Sequence, residues 1–282
     1  MATPQMQTFL DARRKKDLKK EQEIPTEEVR KSFDAMMSSQ PVATGFKSQD
    51  FMLGNCPARR YLPSINNVEG LILYFHGGGY YTGSIDSHHA LMSQLCVACE
   101  AELVGLNYRL APEHPYPAAL NDAVAAFSQL AKDTPPSKIM IAGDSAGGGL
   151  ALACLQTLRN TSDILPGCAT LIAPYIDLSE TGAFSDSTES KLWYTGNLSM
   201  DHPGVSPLFG EMNDLPPTLI QVASDEELVN DANRLLEKLS IADVRVDIQL
   251  FDEAFHVFHM FTEIPESSDA IGKIAKFFRR YI

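Results

Sequence analysis

Two short stretches hold residues that can do chemistry together. Residues 143–147 read Gly-Asp-Ser-Ala-Gly, and residues 76–79 read His-Gly-Gly-Gly. Ser145 sits between two glycines, directly after the apolar run Ile139-Met140-Ile141-Ala142. That pattern predicts a serine on a sharp turn from strand to helix, with small residues behind it that let the helix pack closely on a sheet. The glycine run follows another apolar run, Leu71-Ile72-Leu73-Tyr74-Phe75. Glycines let the backbone approach a substrate closely and turn N–H groups toward it. With the N–H of Ala146 they can form a three-donor hole for an oxyanion. A nucleophile on a tight turn, facing a bare backbone, is what acyl transfer needs. A lone Gly-x-Ser-x-Gly is an ordinary turn. Here it is joined by a second glycine-rich stretch, and each lies right behind a predicted strand.

A serine hydroxyl needs a base to take its proton. Histidine suits that task, with an ordinary pKa of about 6.5. His256 lies just after the last apolar run, in Phe255-His256-Val257-Phe258. Other histidines fit less well. His76 belongs to the glycine loop and reads as structural. His88 and His89 open a helix, His114 lies between Glu113 and Pro115, and His202 falls in an irregular stretch. His259 is the nearest rival, but it faces differently from His256. A carboxylate must then orient the imidazole. In the chain order serine, acid, histidine it should follow the strand at 218–223, which ends in Ser224-Asp225-Glu226-Glu227. Residue types alone leave both Asp225 and Glu226 open.

These groups need a frame. Apolar runs at 70–75, 102–107, 137–143, 168–173, 218–223 and 245–251 alternate with helical patterns at 86–100, 117–132, 145–159, 230–240 and 267–280. Short apolar runs separated by helices predict an α/β fold, a mostly parallel sheet covered on both faces. Such sheets carry their sites at the carboxyl ends of the strands. Two exposed strands are expected at 42–51 and 56–62. Residues 1–40 read as helices. One runs from Pro4 to Lys20, and a second begins at the N-cap Thr26, with Val29, Phe33, Met36 and Met37 as its apolar stripe. Their place outside the alternating pattern suggests a cap, with the catalytic domain at 41–282. Residues 176–217, which hold Trp193 and Tyr194, read as an irregular insertion near the site.

Composition narrows the class. The chain has 282 residues, 44% of them apolar, and a net charge of −13. It can bury a large core, and its acidity argues against nucleic acid or an anionic membrane as partner. The basic stretch Arg13-Arg14-Lys15-Lys16 with Lys19 and Lys20 reads as a solvated helix face. The polar N-terminus has no apolar core of a signal peptide, and no run reaches the ~18 apolar residues of a membrane span. The five cysteines, an odd count without a secretory signal, fit reduced thiols in a cytoplasmic protein. Cys96 and Cys99 form a C-x-x-C inside an apolar helix. With no second ligand pair following, they read as core residues rather than a zinc or redox site.

At this point the chain resembles the hormone-sensitive-lipase-like family of α/β-hydrolases, the bacterial family IV carboxylesterases. The resemblance spans nearly the whole chain. It is carried by H-G-G-G-Y-Y-T-G (76–83), Tyr108-Arg109-Leu110-Ala111-Pro112-Glu113-His114-Pro115, and G-D-S-A-G-G (143–148). Pro174-Tyr175-Ile176-Asp177-Leu178-Ser179, Ser206-Pro207-Leu208, Leu215-Pro216-Pro217 and His256-Val257-Phe258 extend it. It implies an eight-stranded α/β-hydrolase sheet with a small helical cap formed by the N-terminal helices. It implies Ser145 as nucleophile, His256 as base, and Gly78, Gly79 and Ala146 as the oxyanion hole. Tyr80, Asp144, Tyr175, Trp193, Tyr194 and Val257 are expected to line the substrate pocket.

Two departures stand out. Where the family carries Asp-Pro-Leu-x-Asp-Glu, this chain has Glu226-Glu227-Leu228-Val229-Asn230-Asp231. Alignment on Leu228 and Asp231 puts Glu226 in the acid's place, with Asp225 as the alternative. The segment before Ser206 is shorter than usual, so 176–210 is expected to be a reduced second cap segment. The implied activity is metal-free and cofactor-free hydrolysis of carboxylic esters of short to medium chain length. A ligand-binding regulator on the same fold, or a hydrolase of lactones or amides, is the alternative. A regulator needs neither Ser145 nor His256. A homodimer is compatible with all of these readings.

Overall fold

The computed structural model describes residues 2–8, 26–65, 68–162, 164–183 and 188–282. Eight strands follow one another as β1 (Phe46–Leu53), β2 (Cys56–Pro63), β3 (Leu71–Phe75), β4 (Glu102–Leu106), β5 (Ile139–Asp144), β6 (Cys168–Ile172), β7 (Thr218–Ala223) and β8 (Val246–Phe251). They form one sheet in the order β1-β2-β4-β3-β5-β6-β7-β8. The hairpin β1–β2 and the β2–β4 pair are antiparallel, and every pair from β4 to β8 is parallel. Residues of β3, β5, β6 and β7 are buried along their whole length. That is why these strands read as continuous apolar runs rather than alternating ones. The sheet edges, β1 and β8, keep exposed positions.

The helices are α1 (Thr26–Met37), α2 (His89–Cys99), α3 (Ala118–Leu130), α4 (Ala146–Thr161), α5 (Thr188–Thr195), α6 (Val229–Ile241) and α7 (Pro265–Tyr281). Helix α2 packs on α7, and α3 packs on α4. Strand limits agree with the sequence expectation to within a few residues. Helix α7 starts earlier than expected because Pro265 takes its first position, where a missing N–H costs nothing. Helix α5 was not expected, since 176–217 reads as irregular. It is short and its inward face alternates with exposed residues such as Leu192, so it leaves little periodic signal.

Residues 4–8 are helical, and most of the helix expected over Pro4–Lys20 lies outside the described residues. The two N-terminal pieces do different things. Helix α1 lies over the carboxyl end of the sheet. Residues 2–8 instead pack behind the loop carrying His256, where Met6 is wholly buried in a cluster with Ala254, Phe255 and Phe258. The five cysteines are free and buried, and burial pushes the Cys96 and Cys99 thiols up to about 12. They pack as small apolar side chains.

Candidate active site

Strand β5 ends at Asp144 and helix α4 begins at Ala146, so Ser145 alone makes the turn. Its backbone is left-handed, φ 51° and ψ −119°. A non-glycine residue there is strained by about 1–3 kcal/mol and persists only if its surroundings enforce it. They do. Ser145 N–H donates to the Ile172 carbonyl at 2.8 Å, and its own carbonyl accepts from the N–H groups of Tyr175 and Gly149 at 2.9 and 3.0 Å. The glycine at 147 is demanded by space: a Cβ there would run into the Phe75 carbonyl. The strand, the elbow and the helix can therefore close on one another only with this sequence.

The elbow points Ser145 Oγ at His256. The His256 Nε2 atom lies 2.9 Å from Ser145 Oγ, and Nδ1 lies 2.6 Å from Glu226 Oε2. The consistent tautomer has Nδ1–H donating to Glu226 and Nε2 accepting from the serine hydroxyl. Glu226 is braced in turn, since its Oε1 accepts from the Ala223 N–H at 2.9 Å. Its side chain is 5% exposed, whereas Asp225 and Glu227 are exposed. Of the three carboxylates at the end of β7, only Glu226 meets His256.

The loop after β3 faces this relay. Gly78 has φ 120°, a conformation that L side chains rarely adopt, and a Cβ there would collide with Thr82. The Gly78 carbonyl is turned away from the cavity, accepting from Thr82 N–H at 2.8 Å and Tyr81 N–H at 3.1 Å. Among the described residues no group accepts from the N–H of Gly78, Gly79 or Ala146. Ala146 opens α4, so its N–H is one of the unpaired donors at a helix N-terminus.

The other histidines have other duties. His76 is buried, stacks on Tyr108 at 4.3 Å and donates from Nδ1 to the Gly77 carbonyl at 2.8 Å. Burial pushes its pKa down to about 3. His259 turns inward to Gln221 Oε1 at 2.9 Å, and burial pushes it down to about 3 as well. His88 faces Asp144, and His89 pairs with the Tyr61 hydroxyl at 2.9 Å.

A cavity of about 450 Å³ opens over Ser145 and His256. Val29, Phe33, Met36 and Met37 of α1 form one apolar wall, and Met260 and Phe261 form another. Tyr80, Asp144, Tyr175, Tyr194 and Val257 line it, as do Gly78 and Gly79. Trp193 does not, which corrects the expectation. On α5 the lining residues are Ser190, Lys191 and Tyr194, one helical face, and Trp193 falls beside that face. It stands edge-on to Tyr81 at 5.5 Å, and Tyr81 is the ring that reaches the cavity. Met260, Phe261 and Leu178 were missed by sequence reasoning. Their only signal was apolar character close to a motif, which any core residue shares. Among the described residues no group of three or more His, Cys, Asp and Glu could hold a metal ion. Nor is any helix there long and apolar enough to cross a membrane.

Comparison with known proteins agrees with this architecture. Residues 72–260 match the family described as having the α/β hydrolase fold. An acetyl-hydrolase of Streptomyces hygroscopicus is 38% identical over 242 residues, covering 80% of this chain and 81% of its own. An esterase of Acinetobacter venetianus is 37% identical over 224 residues, 73% of this chain and 74% of its own. The crystal structure of an esterase from the bacterial hormone-sensitive lipase family superposes with a TM-score of 0.92 at 31% identity, covering 100% of this chain and 99% of that one. The chain is an α/β-hydrolase. Within that fold it belongs to the hormone-sensitive-lipase-like esterases.

Proposed function

We propose that this protein is a serine carboxylesterase acting on small esters of short to medium acyl chain, acetyl to about octanoyl. The observation that carries the reading is the relay of Glu226, His256 and Ser145, at 2.6 and 2.9 Å. Ser145 Oγ attacks the ester carbonyl carbon while its proton passes to His256 Nε2. The carbonyl oxygen becomes an oxyanion held by the N–H groups of Gly78, Gly79 and Ala146. The imidazolium, stabilised by Glu226, returns the proton to the departing alkoxide, and the alcohol leaves. Water, activated by the same imidazole, then hydrolyses the acyl-enzyme.

The chain-length range is supported by a cavity of about 450 Å³ with walls of Met, Val and Phe. That volume sits toward the small end of the roughly 300–1,000 Å³ typical of ligand pockets. Helix α1 supplies one wall, which supports its reading as part of a cap. The buried free cysteines support a cytoplasmic setting. The test is hydrolysis of a p-nitrophenyl ester series by wild type and Ser145→Ala. Loss of a triad nucleophile should lower kcat by roughly 10⁶-fold. A fluorophosphonate should label Ser145 alone. A folded Ser145→Ala that stays active, or labelling at another residue, would overturn the assignment.

A further inference from the structure

The residue before Ser145 is an aspartate, and the ester chemistry just described gives it no part. Its side chain is 2% exposed. A carboxylate so deeply buried is costly unless its lone pairs are satisfied, and here they are. Oδ1 accepts from the Tyr74 hydroxyl at 2.7 Å and from the Gly77 N–H at 3.0 Å. Oδ2 lies 3.3 Å from His88 Nε2. Burial alone would push its pKa up, but His88 and Tyr74 outweigh that and hold it below the usual carboxylate range. The three partners come from the end of β3, from the loop that follows, and from the turn ahead of α2.

A negative charge next to an oxyanion hole opposes the charge that develops there. Asp144 is therefore no electrostatic helper. Its geometry gives it a different task. By accepting from Gly77, whose N–H is shared with His88 Nε2 at 3.2 Å, it turns that N–H away from the cavity and toward the elbow. The next two donors, on Gly78 and Gly79, are left to face the space above Ser145. The contact also joins the two halves of the site, because Asp144 is covalently adjacent to Ser145. Gly77 fits this account independently. A Cβ at Gly77 would collide with the Asp144 carboxylate, so this glycine is required by close approach.

We propose that Asp144 is a positioning residue of the oxyanion hole, orienting the Gly77 peptide so that the Gly78 and Gly79 N–H groups meet the oxyanion above Ser145. The inference rests on the esterase reading.

The experiment compares wild type, Asp144→Ala and Asp144→Asn with p-nitrophenyl butyrate, each normalised to active sites titrated by a fluorophosphonate. Affinity for a trifluoromethyl ketone, whose hemiketal oxyanion occupies the hole, is measured in parallel. Asp144→Ala should lose kcat by on the order of 10²–10³-fold, the range for removing one oxyanion donor. KM should stay nearly constant, and the ketone should weaken by a similar factor. Asp144→Asn keeps an oxygen for the Gly77 N–H and should recover activity to within about tenfold of wild type. If the alanine variant does not fold, Asp144→Ser carries the same expectation, since its hydroxyl is too short to reach Gly77. A lower melting temperature or titrated fraction with unchanged kcat per site would reduce Asp144 to a structural carboxylate and overturn the proposal. A rise in KM alone would do the same. A wild type that titrates at Ser145 but hydrolyses no ester would sink the esterase reading itself, and this inference with it.

Discussion

Arg30 and Glu113 meet fork to fork, Nη1 and Nη2 of the guanidinium lying 2.9 and 2.7 Å from the two carboxylate oxygens. The same guanidinium donates from Nε to the Tyr81 carbonyl and from Nη2 to the Ala111 carbonyl, both at 2.7 Å. One side chain of α1 thus fastens that helix to the loop that carries Gly78 and Gly79.

Breaking this fastening should alter selectivity more than stability. Glu113 is 54% exposed, so solvent screens the ion pair and its contribution to folding is small. The helix it holds lines the cavity through Val29, Phe33, Met36 and Met37. Arg30→Met should therefore raise KM several-fold for hexanoyl and octanoyl esters and much less for acetyl, with a melting temperature within about 2–4 °C of wild type. A KM profile that shifts equally for all chain lengths would mean α1 does not shape the acyl site.

The two candidate acids can be separated directly. Glu226→Gln should lower kcat by roughly 10⁴-fold, as neutralising a triad acid does, because the imidazole tautomer is no longer fixed. Asp225→Asn should change kcat little, since that side chain is exposed and the carboxylate bonded to His256 is that of Glu226. The measurement is kcat with a short-chain ester after circular dichroism has established folding. The reverse order of effects would move the acid to Asp225.

That ambiguity marks the limit of what the sequence carries. The sheet was legible because strands buried on both faces must be continuous apolar runs, as Leu71–Phe75 is. Ser145 was legible because a strained elbow needs glycines at fixed spacing, and those spacings are local. The acid was not legible from residue type, since Ser224-Asp225-Glu226-Glu227 offers three carboxylates within one turn. Only the fold decides which side chain turns inward, and family register had to supply Glu226. Trp193 failed for a related reason. Helix α5 is too short to announce its phase, so nothing in the sequence says that Tyr194 and Lys191, rather than Trp193, occupy the face toward the cavity.

Acid should destabilise the fold through two histidines outside the relay. His76 and His259 are buried neutral, each with its pKa held down to about 3 by desolvation. Between the unfolded value of about 6.5 and the folded value the unfolded chain binds a proton that the native state does not, so stability falls as pH drops through that window. It is fully present above pH ~6.5. Each histidine contributes a slope of up to about 1.4 kcal/mol per pH unit. His259→Gln removes one of them. Its stability should fall less steeply than wild type between about pH 6 and 4, whatever its value at neutral pH. Parallel urea-denaturation curves for the two proteins across that range would show that His259 protonates in the native state.

The first residues of the chain should matter to the base rather than to the acyl pocket. Met6 is wholly buried in a cluster with Ala254, Phe255 and Phe258, the residues that bracket His256. Thr3 adds two hydrogen bonds, N–H and Oγ1 to the two Glu266 carboxylate oxygens, both at 2.8 Å. This cluster and these hydrogen bonds tie residues 2–8 to the rest of the protein. Replacing Met6 by Ala removes buried contact of the kind worth about 2–5 kcal/mol in a closed core, and here that loss falls on docking of the segment. The His256 loop then loses its backing while α1 and the apolar wall it supplies stay in place. Met6→Ala should lower kcat several-fold, slow phosphonate labelling of Ser145 by the same factor, and speed amide exchange at 254–258. Chain-length preference should stay as in wild type, in contrast to Arg30→Met. If Met6→Ala instead changed selectivity and left kcat alone, the whole N-terminal region would act as one cap, and the division between residues 2–8 and α1 would be wrong.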